Sequence, residues 1–155
     1  CMSIGDMQFN PVLEKGYKAI QELEPDLKNM QENVKWCDHM VIIYPNWWCT
    51  MPAKLKGMFD RAWLPGFAFN FDKQTHEVVQ RLQGKTARVI VTAGTLSPFW
   101  TWWKFGDFTN EIARGILGFA GMNVAISTFG PCDHCAPDER ESWKQLVKVL
   151  GKSGT

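Results

Sequence analysis

"HMVIIYPNWWCTMPAKLKG" spans His39–Gly57, and the reading of the fold starts there. Met40–Tyr44 is an unbroken apolar run ended by Pro45, the pattern of a strand covered on both faces. Beyond it the period changes. Leu55, Met58, Phe59, Ala62 and Trp63 recur at i, i+3, i+4, i+7 and i+8, one apolar stripe of a helix that Thr50 is positioned to cap. Between strand and helix stand Trp47, Trp48 and Cys49, although connecting loops normally carry polar residues.

The alternation repeats along the chain. Arg88–Thr92 ("RVIVT") and Val124–Phe129 ("VAISTF") read as two more strands, the latter nearer an edge. Pro25 and Asp26 open a helix with Leu27, Met30 and Val34 on one face. Asp107 is placed to cap another that carries Ile112, Ile116 and Leu117 and closes at Gly121. A last one starts near Pro137 with Asp138 and Glu139 in its first turn, carries Trp143, Leu146, Val147 and Leu150, and stops at Gly151. Strands separated by helices predict the α/β class, a parallel sheet with helices on both faces. Residues 1–151 read as one domain and 152–155 as a polar tail.

Composition narrows the partners. The chain has 155 residues, 45% hydrophobic and 21% charged, with a net charge of +1, enough to bury a core and with no basic excess to suggest nucleic acid. No apolar run approaches the roughly 20 residues of a membrane span. The odd count of five cysteines reads as reduced thiols in a cytoplasmic protein.

In a parallel sheet, loops leaving the carboxyl ends of strands emerge on one edge, where ligands of open α/β sheets bind. These loops are Pro45–Thr50, Ala93–Gly106 and Gly130–Ala136. Five of the eight tryptophans fall in the first two: Trp47, Trp48, Trp100, Trp102 and Trp103, joined by Phe99 and Phe105. A single ring of this kind ordinarily packs on the core or meets another subunit. The cluster reads as the walls of a pocket for a flat aromatic ligand.

"PNWWCTMPAKLKGMFDRAWLPGFAF", "VTAG", "GILGFAGM" and "TFGP" together resemble the flavodoxin-like NAD(P)H:quinone oxidoreductases, and the resemblance runs from "FNPVL" at Phe9 onward. It implies a flavodoxin-like sheet, a bound FAD or FMN, and two-electron transfer from NADH or NADPH to a quinone-like acceptor. By that resemblance Pro45, Asn46, Trp47, Trp48 and Cys49 run along the flavin ring, and Thr92, Ala93, Gly94 and Thr95 contact its other side, where the absent Cβ of Gly94 allows close approach. Trp100 sits where some members carry a tyrosine, and no histidine follows it, so no catalytic acid or base is assigned. Phe67 and Phe69 are expected to line a neighbouring subunit's pocket in a homodimer, with Phe99, Trp103 and Phe105 on the acceptor side. Related proteins also serve as ancillary subunits of potassium efflux systems, so a non-enzymatic interaction module is the alternative.

Members of that family open with a strand, a phosphate-binding turn, a helix and a second strand. None of these is visible ahead of Met40–Tyr44, so the expected domain is N-terminally truncated, with weak flavin binding or a completing partner. A fragment, a second polypeptide and a degenerate domain are all open alternatives. "QGKT" at Gln83–Thr86 precedes a strand instead of following one and reads as a turn. "PCDHC" at Pro131–Cys135 lacks the second pair of a zinc site. A redox dithiol there would need an electropositive helix terminus, and the plain reading is a polar turn. No metal is expected. Cys49 reads as a small buried hydrophobe, and His76 as a solvated loop residue. Lys54, Lys56 and Arg61 read as an exposed helix face, one of them available to a nicotinamide phosphate.

Overall fold

The computed structural model describes residues 1–154. Its centre is a three-stranded parallel sheet in the order β1-β4-β5, formed by β1 (His39–Pro45), β4 (Thr86–Thr92) and β5 (Asn123–Phe129). The register pairs Pro45 with Thr92 and Thr92 with Phe129, so all three strands end level and their loops leave from one rim. β2 (Phe69–Phe71) and β3 (Val78–Gln80) form a separate antiparallel hairpin. It was not foreseen. Its turn is built by Asp72, whose carboxylate accepts from the backbone N–H groups of Gln74 and Thr75, both at 2.8 Å.

The core lies on one face of the sheet. Ala87, Val89 and Val91 of β4 pack there with Tyr44, against α1 (Pro25–Trp36) through Leu27, Met30 and Val34, and against α2 (Ala53–Ala62) through Leu55, Met58 and Phe59. The expected apolar stripes are the ones buried. A π-helix over Glu111–Gly118 adds Ile112 and Leu117; its wider winding shows in Phe119 N donating to Arg114 O at 2.9 Å, five residues back. The opposite face is thinly covered. α4 (Pro137–Ser153) reaches it where Trp143 meets Phe129, ring centroids 5.7 Å apart, yet none of its residues is buried. Val41 and Ile43 stand exposed on β1, whose far edge pairs with no strand among the described residues.

Residues 1–24 carry no regular element and are strapped along α2. Lys54 Nζ donates to the carbonyls of Gly5 and Met7 at 3.0 and 2.8 Å. Gly57 lets Pro11 lie against the helix backbone, since a Cβ there would come within 2.4 Å of the proline's own. Arg61 Nη1 donates to Asn10 O, and its Nη2 donates to Glu22 O at 2.8 Å. Positions 54, 57 and 61 share a helix face. The expected exposed basic face is therefore corrected: Arg61 is 0% exposed and bridges both carboxylate oxygens of Glu24, at 2.8 and 3.1 Å, while Lys56 pairs with Asp60.

Three of the expected helix ends are shifted for local reasons, and one helix is added. Thr50 is held in a tight hairpin with Trp47, so α2 starts at Ala53 behind Pro52. Asp107 accepts from Thr109 N and Oγ1 at 2.9 and 2.7 Å, an Asx turn that delays the next helix to Glu111. α4 continues through Gly151 to Ser153 and ends on left-handed Gly154, leaving only Thr155 outside the described residues. Ala93–Gly106, expected as a loop, contains α3 (Pro98–Phe105).

Candidate functional site

The rim begins with backbone. Asn46 N donates to Thr92 O at 2.7 Å, prolonging the β1–β4 ladder by one rung. Trp47 and Thr50 then exchange two bonds, Trp47 N to Thr50 O at 2.9 Å and Thr50 N to Trp47 O at 3.2 Å. The two central residues, Trp48 and Cys49, have φ of 53° and 63°. Two positive φ values in sequence mark the primed turn that matches the twist of a hairpin, which usually selects Asn or Gly. Here an indole and a thiol occupy it. Trp48 is 99% exposed, so its ring contributes nothing to the core, and the N–H groups of Trp48 and Cys49 lie outside the paired bonds of the turn. Cys49 is partly buried, less so than a core residue.

Beneath the turn, Tyr44 is buried, and burial together with the charge of Glu111 pushes its phenol up to about 12. It stays a neutral hydroxyl near pH 7. Glu111 accepts a hydrogen bond from Thr50 Oγ1, joining the hairpin to the π-helix. The Oδ1 of Asn46 is buried with no hydrogen-bond partner, a cost of about 1–3 kcal/mol for a buried acceptor left bare.

The second loop is held by the third. Ala93 N donates to Phe129 O at 2.7 Å, Cys132 N to Ala93 O at 2.8 Å, and Asp133 N to Gly94 O at 3.2 Å. Thr95 Oγ1 donates to Asp133 Oδ2 at 3.1 Å. A Cβ on Gly94 would stand 2.9 Å from that same carboxylate oxygen, so the space a glycine leaves here admits Asp133. Asp133 was not singled out from sequence; no local pattern relates it to Thr95.

α3 presents the remaining rings. Ser97 caps it, its hydroxyl accepting from Trp100 N at 3.3 Å, with Pro98 following at the first turn. Ser-Pro before the aromatic run and Gly106 after it were legible signals for this helix. Thr101 alone is buried, while Phe99, Trp100, Trp102, Trp103 and Phe105 are all more than half exposed. Phe99 and Trp100 meet edge to face at 5.6 Å. No ring pair among the described residues joins α3 to Trp47 or Trp48.

Phe67 and Phe69 lie elsewhere. Phe67 is buried near Lys35, at the end of α1 that precedes the amino end of β1, with Lys35 Nζ 6.0 Å from its ring centroid. It borders a cleft of about 640 Å³ shared with Leu13, Tyr17, Gln31 and Pro65. Phe69 borders another of about 540 Å³ with Phe59, Trp63, Phe71 and Phe119. Neither cleft reaches the rim. Within one chain the aromatic residues expected around one pocket are thus divided between the two ends of the sheet.

A parallel sheet whose strands alternate with helices and end level at one carboxyl rim is the architecture of a flavodoxin-like protein. The chain belongs to the family described as flavodoxin-like fold, whose model matches residues 1–147. It is 29% identical over 147 residues to the ribosyldihydronicotinamide dehydrogenase (quinone) of Homo sapiens, a match covering 89% of this chain and 62% of that protein. The chain thus spans less than two thirds of that relative's length. Among solved structures, the NAD(P)H:quinone oxidoreductase from Methanothermobacter marburgensis superposes with a TM-score of 0.68 at 27% identity, over 84% of this chain and 66% of that one. An FMN-dependent NADH-azoreductase from Bacillus anthracis, solved in complex with FMN, shares the fold with a TM-score of 0.66 at 18% identity, over 99% of this chain and 80% of that one.

Proposed function

We propose that the protein is a flavin-dependent oxidoreductase that passes two electrons from NAD(P)H to a quinone or similar acceptor, with the flavin seated on the rim of β1, β4 and β5. The observation that carries this reading is the hairpin Asn46–Thr50, which holds Trp48 bare in a turn while Asn46 Oδ1 is buried without a partner. An exposed planar face and an unsatisfied acceptor suit a ligand with a flat ring and a polar edge. The names of the human and Methanothermobacter relatives support the reaction class, and the FMN-bearing neighbour supports the cofactor.

When bound, the flavin supplies the redox chemistry itself. Trp47, Trp48 and Trp100 offer stacking faces and exclude water. The N–H groups of Trp48 and Cys49 are free to donate to a polar ring edge, which steadies negative charge there. Ala93, Gly94 and Thr95 form the opposite wall and are kept in place by Asp133. Tyr44, neutral beneath the hairpin, adds no competing charge. Phe67 and Phe69 complete a pocket only if a second copy brings them to the rim, so the reading includes a homodimer.

Titration with FMN and with FAD, followed by tryptophan emission, tests the proposal. Strong quenching by one of them is expected, together with NAD(P)H oxidation when a simple quinone is added. Emission unchanged by both flavins would overturn it.

A further inference from the structure

The turn Gly130–Ala136 carries chemistry that electron transfer at the rim does not use. Arg140, one turn into α4, folds back over it. Its Nε and Nη2 both donate to Cys135 Sγ at 3.4 Å, and Nη2 also donates to Cys132 O at 3.1 Å. Cys135 Sγ itself lies 3.5 Å from Cys132 O, so the second sulfur rests against the first cysteine's backbone. Both thiols are free and partly accessible. With exposed His134 they do not form a metal-binding group among the described residues.

The geometry points to Cys135 and Cys132 as an oxidisable dithiol that reacts with low-molecular-weight disulfides, Cys135 attacking and Cys132 resolving. The guanidinium donates twice to Cys135 Sγ, which aims that sulfur and places positive charge where negative charge develops as it attacks. Burial, with Cys135 and Asp133 nearby, holds the Cys132 thiol above its usual range, so Cys132 is the thiol that stays protonated until the second step. The expected polar turn is therefore also a reactive one.

The exchange balances without any other oxidant. Cys135 Sγ attacks one sulfur of the disulfide, whose S–S bond breaks, and one small thiolate leaves with the bonding pair. Cys132 then loses its proton to solvent and attacks Cys135 Sγ, and the second small thiolate leaves. The two cysteines give up two electrons and two protons, and the small disulfide becomes two thiols.

The test incubates the full chain with glutathione disulfide in the absence of air and maps thiols by peptide mass. In the wild type, a Cys132–Cys135 disulfide should form faster than any adduct on Cys37 or Cys49, which are likewise partly buried. Cys132→Ser should stop at a glutathione adduct on Cys135, and Cys135→Ser should leave Cys132 largely unreacted. Arg140 is exposed, so Arg140→Gln should fold, and it should slow alkylation of Cys135 about fivefold, with Arg140→Lys restoring part of the rate. A stable adduct in the wild type with no intramolecular bond would overturn the proposal, as would Cys135 reacting no faster than Cys37. So would an Arg140→Gln rate equal to wild type.

Discussion

Thr95 donates its hydroxyl to the Asp133 carboxylate at 3.1 Å, and this bond ties the loop after β4 to the loop after β5. Asp133 also donates its own N–H to Gly94 O, so one residue positions both neighbours on the rim. Replacing Asp133 with Ala removes a hydrogen bond worth about 1 kcal/mol and frees Thr95. We expect flavin affinity to fall roughly fivefold, read by fluorescence titration, with the melting temperature little changed because Asp133 is exposed.

Trp48 gives a sharper separation of binding from folding. Its ring is 99% exposed, so Trp48→Ala should move stability by less than about 0.5 kcal/mol. If the ring stacks on a bound flavin, the same change should weaken binding by about 1 kcal/mol, roughly fivefold. Loss of stability without loss of affinity would contradict the role given to this residue.

Arg61 predicts the opposite pattern. Its fully buried guanidinium holds Glu24 and two carbonyls of the leading segment. Truncation to Ala strips those partners at once, and a loss of about 3–5 kcal/mol is expected in urea unfolding. Partial burial acts to raise the Glu24 carboxyl, but the bonds from Arg61 and the backbone outweigh it and hold it below 4.5. A carboxylate depressed in the folded state adds stability above its unfolded value, and that stability is lost as pH falls through the folded one. Thermal melting should therefore drop as pH is taken below about 4.5, and Glu24→Gln, less stable at neutral pH, should lose part of that acid dependence.

The open edge of β1 makes a prediction about assembly. Val41 and Ile43 are exposed on a strand whose second edge is unpaired among the described residues, and such edges invite association. The chain should elute from a sizing column as a dimer or larger at micromolar concentration. Val41→Lys with Ile43→Lys should shift it toward monomer without lowering its melting temperature. A monodisperse monomer in the unsubstituted chain would refute this.

The three strands, the apolar stripes of α1 and α2, and the gathering of loops at one rim could all be read along the chain. Each rests on a local signal, a continuous apolar or β-branched run or a stripe at 3.6 residues, or on the fact that successive parallel strands must point the same way. Ser97, Pro98 and Gly106 also mark α3 by local chemistry, although the aromatic run between them obscured it. Other features have no local signature. Arg61 and Glu24 are 37 residues apart, and Thr95 and Asp133 are 38 apart. Nothing in the neighbourhood of Arg61 distinguishes a buried bridge from a solvated helix face. Those two bonds exist only once distant segments meet, because each depends on which partner arrives in space and not on which residue comes next. The hairpin Trp47–Thr50 and the contact of Arg140 with Cys135 are close in sequence, yet an indole in a left-handed turn and a guanidinium beyond a cysteine are not residue patterns that announce those geometries.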